Sequence, residues 1–287
     1  MLAISLALGS SVCYGVSNFL GPQLAREHAV VTVLVVSQLA ALAGCAVYLA
    51  ADAGAALPGQ DMLLALLAGL GNALGLIGFY KAAELGPLSV AAPIGATGAV
   101  LPAVYGLASG DVLEATQVAG LVLAMGGAAL AARQTAGIPG VPLSDASGRA
   151  YANPRASVMW AATSAIAFGV FLTALPKAST HGQAWAIFDA RVALVVVLAV
   201  WAGRRLRDIR FEGRTPVLAI PGLLLLLGTV LYTTAADHGP LSLVAVLGSL
   251  FPVVTVGLGM GLLGERLSRV QAAGVAAALT GIVLISL

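Results

Sequence analysis

The side chains here that could do chemistry stand inside long apolar runs. Tyr14 and Asn18 are four residues apart, and in a helix they share a face with Ser11. Asn72, Phe79 and Tyr80 fall on one broad face of a later run, with Lys81 and Glu84 three apart near its end. Thr97 and Tyr105 share a face of the next run. Phe168 corresponds in the second half of the chain to Tyr14. Trp185, Asp189 and Arg191 open a further run, and Thr229, Tyr232 and Thr233 lie in the one after it. A charge at the centre of a membrane helix costs ~2.5–3.5 kcal/mol on insertion scales, so polar residues at such places are candidate functional groups. Rings, hydroxyls and amides suit a small polar solute, and the Arg191 guanidinium could hold a carboxylate or phosphate. The candidate solute-binding residues are Tyr14, Asn18, Asn72, Tyr80, Thr97, Phe168, Trp185, Arg191 and Tyr232.

Blander roles stand beside these. Lys81 and Glu84 suit an interfacial ion pair, the position of Asp189 suits headgroup reach, and tyrosines also form interfacial belts. Cys13 and Cys45, each within an apolar run, behave as small hydrophobes. The chain has no C-x-x-C pair, and His28, His181 and His238 are scattered, so no metal site is expected. The phosphate-loop pattern G-x-x-x-x-G-K-[ST] is absent, and no segment is long enough for a soluble nucleotide-binding domain. Neither a cofactor nor ATP-driven pumping is expected.

The elements that must position these groups are membrane spans. Of 287 residues, 60% are hydrophobic and 9% are charged; the mean hydropathy is +1.00. Soluble domains carry about 25% charged residues, so this surface needs lipid as its solvent. A net charge of +2 points to no nucleic-acid partner. A helix needs ~20 mostly apolar residues to cross the hydrocarbon core. Ten stretches qualify: 2–20, 30–50, 62–83, 88–107, 115–132, 158–177, 184–202, 217–236, 241–263 and 270–287. Runs such as 223–227 and 193–200 do not alternate, which excludes barrel strands. The first run lacks a basic leader and a clear cleavage site, so it is expected to stay as a span.

The chain is a duplicated unit. Ala82-Ala83-Glu84-Leu85-Gly86-Pro87-Leu88-Ser89 and Ala235-Ala236-Asp237-His238-Gly239-Pro240-Leu241-Ser242 agree at six of eight positions. Gly110-Asp111-x-Leu113 aligns with Gly264-Glu265-x-Leu267. Gln117, Gly120 and Gly127 align with Gln271, Gly274 and Gly281. Gly15-Val16 and Pro22 align with Gly169-Val170 and Pro176. The offset is 153–154 throughout. The expected organisation is a first repeat over 1–133, a linker over 134–155 and a second repeat over 156–287. Five spans per repeat make the second copy enter from the opposite side. The expected fold is therefore an all-α integral membrane protein with ten transmembrane helices as two inverted five-helix repeats. Such folds place a solute site near the midplane between the repeats.

Gly71-x-x-x-Gly75, Gly257-x-x-x-Gly261 and Ala91-x-x-x-Gly95-x-x-x-Ala99 offer small-residue faces for close helix packing. Pro93, Pro102 and Pro252 fall inside the fourth and ninth spans. They predict either simple bends or backbone opened beside a cavity. The spacing of Ser268 and Gln271 suggests a capping box that starts the tenth helix. Eleven arginines sit in connections on one side: Arg26; Arg133, Arg149 and Arg155; Arg204, Arg205, Arg207, Arg210 and Arg214; Arg266 and Arg269. The other side has Lys177 alone. The positive-inside tendency puts the arginines in the cytoplasm and both termini outside.

Ten spans in two halves, with Gly-Glu-Arg-Leu-Ser at 264–268 before the last one, resemble the drug/metabolite transporter superfamily and, within it, an EamA-type member. The first copy departs from that motif: Gly110-Asp111-Val112-Leu113 lacks the basic residue. The resemblance implies a bacterial plasma (inner) membrane transporter with a small-molecule substrate, an exporter or exchanger working by alternating access, and no enzymatic activity. It gives weight to amino-acid-like solutes. The small four-helix multidrug members of the superfamily couple to protons through a carboxylate in their first helix; none occurs between Met1 and Arg26. Proton coupling through Glu84, Asp189 or Asp237 and uncoupled exchange both stay open. A lipid flippase or a non-transporting membrane scaffold is the alternative. An intramembrane enzyme would need clustered catalytic groups at one depth, and the dispersed histidines and acids do not supply them.

Overall fold

In a hydrocarbon environment every backbone N–H and C=O must find its partner within the protein, and an apolar chain does this most simply as helices. The computed structural model describes residues 1–52, 56–86, 91, 94–131, 153–203, 215–263 and 269–286, and every regular element among them is helical. We number them α1 (Leu2–Glu27), α2 (Val30–Asp52), α3 (Gly59–Leu85), α4 (Ile94–Ala108), α5 (Ala115–Ala131), α6 (Pro154–Ala178), α7 (Gln183–Ala202), α8 (Thr215–Asp237), α9 and α10 (Arg269–Ser286). The ninth is in two pieces, Leu241–Gly248 and Phe251–Leu263.

Six of them, α1, α2, α3, α6, α7 and α8, are long and apolar enough to span a membrane. The interrupted α4 and α9, and the 17-residue α5 and 18-residue α10, complete ten passes. The first helix runs beyond the expected position 20 to Glu27, straight through Pro22. The sixth starts at Pro154, earlier than expected: the Asn153 side chain caps it by accepting from the Ala156 N–H at 3.1 Å. Pro93, most of the expected linker, the arginines at 133, 149, 204, 205, 207, 210, 214 and 266, and the 264–268 motif with its Ser268 cap lie outside the described residues.

Helix pairing carries the duplication into three dimensions. The most extensive interface joins α3 to α6, and exchanging the repeats turns it into that of α1 with α8. The α2–α8 and α3–α7 contacts exchange in the same way. The α5–α10, α2–α7 and α4–α9 pairs each map onto themselves, as helices beside a pseudo-two-fold axis must. Individual atoms follow the rule. A Cβ on Gly127 would meet the Gly274 carbonyl at 2.7 Å, and one on Gly281 would meet the Gly120 carbonyl at 2.6 Å.

The expected small-residue faces divide. Gly71 and Gly75 press on α6, leaving no room for a side chain against the Ala167 carbonyl or the Phe168 ring. Gly95 and Ala99 are buried. Gly257 and Gly261 are a correction: both are exposed with open space beside them, so this pair packs no described helix of the chain. The second piece of α9 turns that face outward.

The contrast gives a test. Gly281→Val forces a branched side chain into touching backbones and should cost about 1–3 kcal/mol. Gly257→Val should cost almost nothing. Thermal unfolding in detergent should show a drop of several degrees for the first alone.

A cavity where two helices break

The fourth and ninth helices lose their α geometry at equivalent depths. In α4 the turn Thr97–Ala99 is a 3-10 turn. In α9 the helix stops at Gly248 and restarts at Phe251. Each break lies just before a proline: Pro102 cannot donate to the Gly98 carbonyl four residues back, nor Pro252 to that of Gly248. The breaks line an internal cavity with about 50 Å³ of free space, room for a few waters. Gly95, Ala96 and Ala99 come from α4; Gly248, Ser249 and Phe251 come from around the α9 break. At Pro252 the opened backbone lies beside the cavity, at Gly248; at Pro102 the freed Gly98 carbonyl packs against Gly169 instead.

Four continuous helices close the remaining sides. The first supplies Tyr14 and Asn18, and α3 supplies Asn72 and Leu76. The sixth adds Phe168, Phe171 and Leu172, and α8 adds Leu225 and Thr229. Two rings are held alike: Tyr14 lies on Gly228 and Phe168 on Gly75, positions related by the duplication, and a Cβ at either glycine would collide with the ring. The Tyr14 hydroxyl reaches Thr229 Oγ1 at 3.4 Å. Thr229 in turn donates to the Leu225 carbonyl at 2.7 Å. No charged side chain lines the cavity among the described residues.

Of the nine residues expected to bind solute, the structure brings Tyr14, Asn18, Asn72 and Phe168 together here. The other five lie elsewhere. Tyr80 is buried with its hydroxyl against Gly21 and its ring edge-on to Phe79, centroids 6.4 Å apart. Thr97 is exposed, and its hydroxyl bonds back to the Ile94 carbonyl. Trp185 stands near the start of α7, edge-to-face with Phe188. Tyr232 is fully buried one layer behind the wall, donating to the Leu172 carbonyl at 3.0 Å. Arg191 is 2% exposed, between α2 and α7. It donates through Nη1 to Gln38 Oε1 at 2.6 Å, with the Cys45 thiol close by.

Sequence reasoning missed Leu76, Leu172, Leu225, Gly248, Ser249 and Phe251 as cavity residues. The prolines of the broken spans and the repeat offset were the available signals: positions 172 and 225 are the mates of Asn18 and Asn72.

Polar contacts gather at the bundle end that carries the connections after α4, α6 and α8. Asp111 accepts both the N–H and the hydroxyl of Ser242, at 2.9 and 2.8 Å, joining the first repeat to the start of α9. Asp61 meets His181 at 2.7 Å, and the Lys177 ammonium lies 4.6 Å from the Tyr105 ring centroid. Gln183 donates to Thr233 and Thr234, tying α7 to α8. At the opposite end, Lys81 and Glu84 form an ion pair at 2.7 Å within α3.

Residues 1–133 and 155–287 each match the EamA-like transporter family. The chain belongs to that family. It is thus a multi-pass membrane transporter of the drug/metabolite superfamily, from a family of transporters and not of enzymes. No curated protein matches the sequence. A solved structure, described only as the crystal structure of a protein, shares the fold at 16% identity. Its TM-score is 0.76, and the match covers 98% of this chain and 94% of that one.

In this EamA-like transporter Arg191 is buried between α2 and α7, with its repeat mate Gln38 as its acceptor. Gln38→Leu should strand the guanidinium and cost about 2–3 kcal/mol. Adding Arg191→Met should recover most of that loss, since a buried polar pair replaced as a whole by apolar groups is often neutral. Unfolding midpoints of the parent, single and double variants decide it.

Proposed function

We propose that the cavity is the solute site of an alternating-access cycle, and that the solute is a small polar metabolite of amino-acid-like size, exported or exchanged. The observation that carries this reading is the makeup of the walls. They are pairs of repeat-equivalent positions: Tyr14 with Phe168, Asn18 with Leu172, Asn72 with Leu225, Leu76 with Thr229. A site on the pseudo-two-fold axis is where two inverted halves can exchange roles and open to each side in turn, and the space of about 50 Å³ must widen in that motion to take such a solute. The broken turns of α4 and α9 are natural places for that motion to be absorbed.

The arginine-rich connections are proposed to be cytoplasmic, which makes the Asp111 end external. Glu84, Asp189 and Asp237 do not line the cavity. Proton coupling through them would have to act at a distance, and uncoupled exchange is the simpler reading.

Counterflow in proteoliposomes tests the proposal. Labelled amino acids, drugs, nucleotide sugars and phosphorylated metabolites would be offered to purified protein. One class should exchange, and Asn72→Ala should slow it about tenfold, the worth of one or two hydrogen bonds. No exchange across the panel by folded protein would favour a flippase or a scaffold.

The Asp111 end gives a second test, of the proposal that its contacts close the cavity on that side. In a background lacking Cys13 and Cys45, a Ser249→Cys thiol would report access to the cavity. Asp111→Ala should release Ser242 and raise its labelling by an impermeant reagent added on the Asp111 side several-fold. Unchanged labelling would remove Asp111 from the closure.

A further inference from the structure

The two repeats have diverged in one direction at the cavity. The first contributes Asn18 and Asn72; at the same positions the second contributes Leu172 and Leu225. The first contributes Tyr14, and the second the same ring without its hydroxyl, Phe168. The exceptions, Leu76 against Thr229 and Ala96 against Ser249, add little free polarity, because Thr229 is occupied by Leu225 and Tyr14 and the Ser249 hydroxyl donates to the Val246 carbonyl. Neither Asn18 nor Asn72 makes a hydrogen bond among the described residues, and both are half-buried. Each amide offers an acceptor and two donor hydrogens to whatever fills the cavity.

Charge is the second constraint. No charged side chain lines the cavity among the described residues, and the buried guanidinium of Arg191 is turned to Gln38. A net charge entering this space would shed its water with no charged side chain in the wall to pair with; the Arg191 guanidinium, near enough to Tyr14 to act on it electrostatically, is held by Gln38. Tyr14, Phe168, Phe171 and Phe251, with Leu76, Leu172 and Leu225, make most of the remaining wall apolar.

We infer that the solute carries no net charge, packs an apolar body on these rings, and presents a group that both donates and accepts hydrogen bonds to Asn18 and Asn72. This rests on the transport reading above and narrows it. Acidic and basic amino acids, phosphorylated metabolites and nucleotide sugars are excluded. Asn18 and Asn72 are the specificity-determining residues.

Four compounds of nearly one shape separate charge from size: phenylalanine, N-acetylphenylalanine amide, phenylalanine amide and N-acetylphenylalanine. The first two are net-neutral; at about pH 6, below the α-amine range, the third is a cation and the fourth an anion. Each would be measured for stabilisation of the purified protein against heat and for counterflow. The neutral pair should bind and exchange, and the charged pair should bind at least about tenfold more weakly. Asn18→Leu and Asn72→Leu, which copy the second repeat's residues, should each weaken the neutral pair about tenfold while leaving the ligand-free melting temperature unchanged. A charged member that binds as well as its neutral counterpart overturns the inference, and so do Asn→Leu variants that bind like the parent. Exchange of other solutes, but of none of these four, overturns the inference alone. No exchange of any solute overturns the transport reading and the inference together.

Discussion

Lipid supplies no hydrogen bonds to a backbone, and most of this architecture follows from that fact. A chain in hydrocarbon can leave helical geometry only where protein or trapped water meets the freed groups. Among the described residues two breaks, at Thr97–Ala99 and after Gly248, adjoin a cavity whose other walls come from α1, α3, α6 and α8. The freed groups are met in two ways: Gly248 belongs to the cavity wall, whereas the Gly98 carbonyl lies against Gly169 of α6.

The second organising fact is that glycine lets backbones touch. Membrane helices gain nothing from expelling water from one another, so their association depends on close contact. The duplication places such contacts in pairs. Gly69 abuts the Ala190 carbonyl and Gly222 abuts that of Ser37, the same crossing made twice. Gly75 and Gly228 do it with aromatic rings and so fix the two sides of the cavity. Scaffold and site use one device, and the rings stand where they do because the helices behind them carry no side chain.

Much of this was legible in the sequence, because its strongest signals are the ones the bilayer imposes: length of apolar runs, loop prolines, and a duplication exposed by Gly-Pro-Leu-Ser at two places. Tyr14, Asn18, Asn72 and Phe168 could be chosen because polarity or repeat position singled them out inside apolar runs. Arg191 was chosen on the same grounds and lies off the cavity. Hydropathy reports that a charge is inside the membrane but not which neighbour it faces, and Gln38 was invisible until α2 and α7 were set side by side. Tyr232 shows the same limit: a buried hydroxyl needs only one partner, and the Leu172 carbonyl serves as well as a solute. Leu172 and Leu225 went unnoticed because leucine in a membrane span carries no signal of its own.

Gln38 and Arg191 occupy one position of the repeat, on the helix pair that maps onto itself. A residue beside the axis faces its own copy. In an ancestral assembly of two identical halves, an arginine there would have faced a second arginine, two buried cations with no acceptor between them. A glutamine would have faced a glutamine, which can bond to itself. The guanidinium is thus tolerable only because the two halves differ at this position, so two copies of the second half alone could not rebuild this contact.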